Sequence, residues 1–303
     1  MATTKITSPD LFNLESLNTA LKLPSGTTAE RPTSPSTGEW RYNTTTNLVE
    51  FWDGGEWRDL QSEDIPPTPS ENFNAVIWSG DDTDGREITV GFKPDFVWIK
   101  SRNLASSHRL FDSTRGAQKF IISDSNGAEQ TASNTLQSFT TTGFTVGISS
   151  AVNESPYTYV AYCWKVNGGT TSSNTDGSTT STVQANTKAG ISIVTYTGTG
   201  ANATVGHGLG AQPYVVITKG LDLVVGTTNW RVYANALGGT KNLKLNGTDA
   251  AATGNSTWND TDPTSSVFSL GTSGDPNGNG ATYVAYCFAE VAGFSKFGSY
   301  TGN

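Results

Sequence analysis

Histidine, cysteine and methionine are scarce in this 303-residue chain, which holds two histidines, two cysteines and one methionine. A zinc site needs clustered cysteine and histidine ligands, and the commonest general base in enzymes is histidine. His108 and His207 stand far apart in the sequence, and no serine nucleophile elbow is present. The sequence therefore predicts a protein that is not an enzyme and has no catalytic residue, metal or cofactor.

Charged residues are also few. They make up 15% of the chain, with 19 basic and 27 acidic residues and a net charge of −8. A nucleic-acid surface needs clustered lysine and arginine to neutralise phosphates, so this balance argues against a nucleic-acid partner. No apolar run approaches the roughly 20 residues of a membrane span. The first ten residues lack the basic start and apolar run of a signal peptide. We expect neither membrane insertion nor a secretion signal.

One stretch of the sequence occurs twice. Residues 159–163 and 283–287 both read Tyr-Val-Ala-Tyr-Cys and are followed by an aromatic residue. Their β-branched and aromatic content, without glycine or proline, indicates a buried strand. The copies lie 124 residues apart, counted from Tyr159 to Tyr283. Two other pairs recur at a spacing of 118, namely 78–80 with 196–198 and 96–99 with 214–217. The spacing predicts two β-rich units of one duplicated architecture.

Each unit is expected to be a β-sandwich, jelly-roll-like repeat, at 73–167 and 168–303. About eight short strand-like segments in the first repeat favour this all-β class. The second repeat opens with a loop at 168–177, followed by a hairpin in which 180–185 pairs with 191–196. It matches the first repeat again at 229–233, which parallels 108–111. Cys163 and Cys287 lie inside buried-type strands, so we expect two free core thiols and no disulfide. The last residues, 297–303, are predicted to form a strand that closes an exposed sheet edge.

The N-terminal segment, residues 1–24, carries the pattern of an amphipathic helix. Ser8 can cap it, and Pro9 suits its first position. Leu14, Leu17 and Leu21 fall on one face, and such a short helix is marginal in water without a partner. Either this face packs on its own chain, or it serves trimerisation or docking to another protein.

Residues 25–66 are predicted to form a small β-hairpin or meander, with turns at 43–47 and at Gly54-Gly55. A sheet of this size buries too little surface to hold its aromatic residues by itself. We therefore expect an oligomer or attachment interface here, most simply a homotrimer. A proline-rich linker, 67–72, follows. The candidate interface residues of the N-terminal region are Leu14, Leu17, Leu21, Trp40, Tyr42, Phe51, Trp52 and Trp57.

The module over residues 24–60 resembles the hairpin module near the start of many bacteriophage tail-fibre and virion structural proteins. The resemblance rests on 30–32, 38–47 and 52–57. Residues 73–303, especially 182–186, 193–198 and 205–210, look like a repeat domain of unassigned role in structural proteins of tailed phages, notably marine and cyanobacterial ones. These resemblances imply a virion component, assembled in the host cytoplasm, whose N-terminal region contacts other virion proteins. Its location would be the tail or the head surface.

Several functions therefore stay open at this stage. A trimeric tail fibre or tail appendage would contribute to host attachment, with a host-surface glycan or protein as its partner. A capsid decoration or head-fibre protein would have the same sequence features. A polysaccharide-degrading tailspike would need a carboxylate pair within about 5–10 Å, for which Asp112, Asp124 and Glu129 are the candidates. Asp81–Asp84 before Gly85 could hold calcium, although a solvated turn accounts for it, and Trp230 or Trp258 could stack on sugars unless they lie in the core.

Overall fold

The computed structural model describes residues 23–59 and 68–302. They belong to two compact units, Met1–Ile65 and Pro66–Asn303. Strands are the main secondary structure of the described residues, which confirms an all-β protein. The helix predicted over residues 1–24, with Leu14, Leu17 and Leu21, falls almost entirely outside the described residues. No helix among the described residues is long and apolar enough to cross a membrane.

The first unit contains one four-stranded sheet in the order β1-β2-β3-β4. The predicted hairpin and third strand are present, and Asn47 in the first turn has a φ of 58°, which asparagine tolerates well. A short strand, β1, pairs in parallel with β2 and was not predicted, because two residues carry no periodicity. The elements are β1 (Ser25–Gly26), a 3-10 helix (Thr28–Glu30), β2 (Trp40–Asn43), β3 (Leu48–Trp52) and β4 (Trp57–Asp59).

The second unit opens with a short helix at 69–72, in part of the segment predicted to be an extended proline linker. Pro69 occupies the first helical turn, where its missing N–H costs nothing. The helices of this unit are α1 (Pro69–Asn72), α2 (Asn255–Trp258) and α3 (Gly274–Asn277). Its strands up to residue 164 are β5 (Phe73–Ser79), β6 (Arg86–Thr89), β7 (Phe96–Ser101), β8 (Arg109–Asp112), β9 (Lys119–Phe120), β10 (Gln130–Thr131), β11 (Leu136–Phe139), β12 (Gly143–Val146) and β13 (Thr158–Trp164).

The remaining strands belong to the second half of this unit, residues 168–302. The predicted hairpin is confirmed, since β15 pairs with β16 over its whole length, but the preceding loop also contributes an edge strand, β14. These strands are β14 (Ser172–Asn174), β15 (Ser181–Asn186), β16 (Ile191–Thr197), β17 (Ala203–Gly206), β18 (Pro213–Gly220), β19 (Arg231–Ala234), β20 (Lys241–Lys244), β21 (Ala252–Thr253), β22 (Val267–Leu270) and β23 (Thr282–Ala289).

Each half has a large sheet and a smaller one. In the first half, residues 68–167, the large sheet has the order β5-β13-β7-β8 and the smaller one β11-β12-β6. In the second half, β14-β15-β16-β23-β18-β19-β20-β21 form the large sheet, and β17 pairs with β22. The repeated Tyr-Val-Ala-Tyr-Cys segments are the interior strands β13 and β23, as their composition predicted.

Alternate side chains of β13 and β23 serve different cores. Tyr159, Ala161 and Cys163 lie in an apolar cluster confined to the first half. Their counterparts in β23 lie in a cluster confined to the second half. Side chains on the opposite faces of the two large sheets meet in a third cluster, which we call the shared core. Its buried members are Phe96, Leu110, Ile121, Val166, Ala189, Ile191, Ile193, Trp230, Val284 and Tyr286. The two halves therefore pack on each other through their large sheets.

Hydrogen bonds show how closely the halves repeat each other. Tyr159 Oη donates to Ser150 O (2.9 Å), and Tyr283 Oη donates to Gly274 O (2.6 Å). The preceding aromatic residues behave alike: Trp78 Nε1 donates to Val152 O (3.0 Å) and Tyr196 Oη to Pro276 O (2.7 Å). Each first-half residue of these loops lies 124 positions before its counterpart. The duplication seen in the sequence thus extends to individual loop contacts.

The spacing expected for one pair of strands was wrong by one residue. Phe96 pairs with Trp164, and Val215 pairs with Phe288, so Phe96 corresponds to Val215 and not to Tyr214. Pro94 and Pro213, and Lys100 and Lys219, are likewise 119 residues apart. The sequence itself therefore carries the correct offset.

Both cysteines are free and fully buried, as expected from their strands. Burial raises the pKa of both thiols, that of Cys287 to about 12. At the C-terminal end, residues 290–302 contain no strand where one was predicted. A single bridge joins Val291 to Ser295, and the Phe297 ring lies 6.5 Å from that of Tyr214. Aromatic contact with β18 thus replaces edge pairing there.

Candidate functional site

The sheet of the first unit has two faces of opposite character. On one face, Arg41, Glu50 and Asp59 follow each other across three strands. Glu50 is fully buried and accepts hydrogen bonds from Arg31 Nη2 (2.6 Å) and Asn43 Nδ2 (3.0 Å). Burial alone would raise the pKa of Glu50, but the hydrogen bond from Arg31 and its neighbours outweigh it and lower the pKa. The 3-10 segment and this network cover that face.

The other face of this sheet carries side chains that we call the aromatic face: Trp40, Tyr42, Val49 and Phe51. Strand register places Trp40 beside Phe51 and Tyr42 beside Val49, and the Trp40 and Phe51 rings stack at 5.3 Å. Trp40 is 46% exposed, and the other three are partly exposed. Arg58, opposite Phe51 on β4, lies on the same side of the sheet, so the aromatic face is an apolar surface with a cationic side chain at its border.

The structure divides the predicted interface residues between these faces. Trp40, Tyr42 and Phe51 lie together on the aromatic face. Trp52 and Trp57 pair with each other on the polar face, their rings 5.8 Å apart. Leu14, Leu17 and Leu21 lie outside the described residues. Alternation along β2 and β3 would have separated the two sets from sequence alone.

An apolar cleft of about 260 Å³ lies between the two halves of the second unit. The Tyr286 hydroxyl on its wall already donates to Asp112 Oδ2 (2.7 Å), and Trp98 Nε1 donates to His108 Nδ1 (2.7 Å). The cleft therefore presents rings and alkyl groups, with these two polar atoms engaged elsewhere. Its aromatic lining comes from Phe96, Trp98, Trp164, Tyr286, Phe288, Phe294 and Phe297.

The carboxylates considered for glycoside hydrolysis do not form an open pair. Asp112 is fully buried, and both Asp112 and Glu129 form ion pairs with Arg115, whose side chain is also buried. Arg115 Nη2 further donates to Leu110 O (3.1 Å). Asp124 is exposed and stands apart from this group in the hydrogen-bond network. Asp112, Arg115 and Glu129 thus make a buried ionic cluster beside the shared core.

The histidines and the aspartate-rich turn have local structural partners. His207 is fully buried, accepts from Leu209 N at Nδ1 (3.2 Å) and approaches Thr264 O with Nε2 (3.2 Å). Burial lowers the pKa of His207, which keeps the ring neutral. Asp81 accepts from Thr83 N (2.9 Å) and pairs with Arg86 (3.2 Å). No group of three or more histidine, cysteine or acidic side chains placed to hold a metal was found in the described ranges.

Trp230 and Trp258 are both core residues, 0% and 2% exposed, so neither ring presents a face to a sugar. Sequence reasoning missed the buried Lys219. Its Nζ donates to Gly220 O (3.0 Å), Thr228 O (3.0 Å) and Thr228 Oγ1 (2.9 Å). Lys100 stands at the equivalent position of the first half, opposite Val160 as Lys219 is opposite Val284. A correct alignment of the repeats would have shown the pair.

Lys219 gives a testable pH dependence. Burial lowers the pKa of Lys219 from 10.5 to about 8, with Asp275 opposing the shift. Between pH 8 and pH 10.5 the unfolded chain therefore binds a proton that the folded chain has lost, and this residue makes the free energy of unfolding rise with pH. We expect the free energy of unfolding of the native chain, minus that of Lys219→Met, to increase by about 2–3 kcal/mol from pH 8 to pH 10.5. Urea unfolding at each pH measures it. Leu223→Ala, which removes an exposed side chain with no titratable group, should show a flat difference; a flat result for Lys219→Met would contradict the assignment.

Comparison with known proteins adds a family but no activity. A family described as "Domain of unknown function (DUF7483)" matches residues 68–303. Neither a curated protein nor a solved structure shows significant similarity to the chain. The matched range contains both repeated halves and every element from α1 to β23. Because it spans well over half of the chain, the protein belongs to the DUF7483 family.

Proposed function

We propose that this chain is a structural component of a phage virion, a trimeric tail fibre or tail appendage that contributes to host attachment without covalent catalysis. The single observation that carries the proposal is the aromatic face of the first unit. The opposite face of the sheet is partly covered by the chain's own 3-10 segment and the Glu50 network, with Trp52 and Trp57 partly exposed on it. A sheet this small buries little of its own surface, and an exposed apolar face on it marks an interaction site. Second and third copies of the same surface would cover it.

The second unit also supports this proposal. We interpret each half as a β-sandwich, jelly-roll-like repeat, since each apolar cluster contains residues of a large and a smaller sheet. The shared core joins the two repeats firmly, which suits a protein that transmits load. The buried ionic cluster of Asp112, Arg115 and Glu129 supports a structural use of carboxylates that a glycosidase would need free.

The mass of the purified full-length chain in solution tests this proposal. Sedimentation at micromolar concentration should give a trimer. Replacing both Trp40 and Phe51 by serine should shift the chain to monomer, because the interface loses most of its apolar area. Ile77→Ser is the matched control, since Ile77 is 67% exposed in the second unit and should leave the mass unchanged. A monomeric native chain at micromolar concentration would refute the trimer.

A further inference from the structure

Both halves of the second unit place an arginine at the same position of the large sheet. Arg109 lies opposite Ile99, and Arg231 lies opposite Thr218, the residue that corresponds to Ile99. In the second half this arginine is fully engaged. Arg231 donates to Asp275 Oδ2 from Nε (2.8 Å) and Nη2 (2.7 Å), and from Nη1 to Asn242 Oδ1 (2.6 Å). The second half thus shows what this arginine binds, which is a carboxylate held by two N–H groups.

The first half lacks both acceptors. Asp275 follows Gly274, whose carbonyl accepts from Tyr283, and Ala151 follows Ser150, whose carbonyl accepts from Tyr159. Ala151 therefore stands where the second half has Asp275. Strand pairing likewise places Phe120, paired with Gln130, where the second half has Asn242, paired with Ala252. An alanine and a phenylalanine have replaced the two side chains that bind the guanidinium.

Arg109 has kept its place without these partners. Its Nε and Nη1 are buried and make no hydrogen bond, and its guanidinium carbon lies 4.8 Å over the Phe120 ring. Leaving a charged donor buried and unpaired is costly, whereas the same group pairs strongly with a carboxylate in a fork geometry. Burial lowers the pKa of Arg109, and Asp124 opposes this.

The charged side chains around the two equivalent arginines differ between the halves. Lys100, the residue after Ile99 on β7, donates to the carbonyls of Ser101 (2.6 Å) and Leu104 (3.1 Å). The acidic group that acts on Arg109 is Asp124, an exposed residue with no hydrogen bond to the guanidinium. In the second half, the equivalent lysine has Asp275 nearby. The first half therefore has the equivalent arginine and lysine, Arg109 and Lys100, without a counterpart of Asp275.

We propose that Arg109 is the centre of a carboxylate-binding site, in which the carboxylate of a small ligand takes the place that Asp275 holds in the other half. Phe120 forms an aromatic shelf under the guanidinium, and the Arg109 residue as a whole is only partly buried. The ligand class is a compact carboxylate, carried either by an acidic sugar or by an amino acid. This inference is independent of the oligomeric state and of virion attachment.

Titration of the full-length chain with glucuronate, glutamate and glucose tests the site. Calorimetry or NMR should give saturable binding of at least one carboxylate and none of glucose, and the stronger of the two carboxylates identifies the source. Arg109→Met should weaken that binding at least tenfold, as expected for loss of a charge-assisted pair. Arg102→Met, at an exposed arginine of the same half, should leave it unchanged. Failure of both carboxylates to bind, or native affinity in Arg109→Met, would overturn the proposal.

A thermodynamic cycle gives a readout that needs no ligand. Ala151→Asp supplies an internal carboxylate at the position of Asp275. This change should abolish glucuronate and glutamate binding. It should also destabilise the chain less when Arg109 is present than in the double variant with Arg109→Met, where the new carboxylate is buried without a cation. The unfolding midpoint of Ala151→Asp should thus fall further when Arg109 is removed than the two single changes predict. Additive effects would show that position 151 does not face Arg109 and would overturn the site.

Discussion

Replacing Arg115 by methionine is expected to destabilise the second unit by about 3–5 kcal/mol, because it leaves the buried carboxylate of Asp112 without its cation. Arg115 pairs with Asp112 and Glu129 and also contacts the hydroxyl of Tyr286 (3.3 Å). Burial alone would lower the pKa of Arg115, but Asp112 and its other partners raise it above the ordinary value. The guanidinium is therefore charged at every working pH. Urea unfolding followed by tryptophan fluorescence measures the loss.

The control for this change is an exposed ion pair of the same unit. Lys244 and Asp249 are 2.8 Å apart, with 32% and 64% of their side chains exposed. Lys244→Ala should cost less than about 1 kcal/mol, since solvent screens the pair. The double change Arg115→Met with Asp112→Leu should recover part of the stability, because the fully buried carboxylate is removed together with its cation, while Glu129 keeps Lys119 3.5 Å away. Equal losses in the free energy of unfolding for Arg115→Met and Lys244→Ala would show that the buried cluster stabilises the unit no more than an exposed ion pair does.

Truncating Trp230 to alanine is expected to cost about 3–5 kcal/mol, the range for large aromatic side chains removed from a packed core. Trp230 is fully buried in the shared core, and its Nε1 donates to Ile122 O in the other half (2.8 Å). The change creates a cavity and also leaves that carbonyl without its donor. For a unit of this size the unfolding midpoint should fall by roughly 10 °C, which calorimetry measures directly.

Leu223→Ala is the matched control for Trp230→Ala. Leu223 is 59% exposed in the same half, so its truncation should change stability by no more than about 0.5 kcal/mol. The calorimetric trace of Trp230→Ala should also keep a single transition for residues 66–303, since the shared core couples the halves. Two separate transitions in the native chain would mean that the halves unfold independently and that the shared core is weak.

Much of the secondary structure follows from local sequence. The hairpin of 180–185 with 191–196, the two Tyr-Val-Ala-Tyr-Cys strands and the meander at 40–59 were predicted, because alternation and turn residues are local signals. The short strands β1 and β14 were missed, because two or three residues are too few to show a period.

The packing of the halves could not be predicted in the same way. Tyr162 and Tyr286 occupy equivalent positions in identical sequence, yet Tyr162 is 42% exposed and Tyr286 is 1% exposed. Only the meeting of the two large sheets distinguishes them. The difference between Ala151 and Asp275, in contrast, was open to sequence reasoning, because both lie eight residues before the repeated tyrosine. The spacing of 118 misaligned Lys100 and Lys219, which are 119 residues apart, and with them the comparison of the two arginines.

The shared core also affects how the chain must be synthesised. The first half leaves the ribosome before the second, and Phe96 and Trp164 then have no covering layer, because the ring of Tyr286, which stacks on Phe96 at 4.3 Å, is still to come. The nascent protein therefore passes through a stage in which this apolar surface is exposed to solvent. We therefore expect neither half to fold stably on its own. A fragment ending near residue 167 should aggregate or bind chaperones.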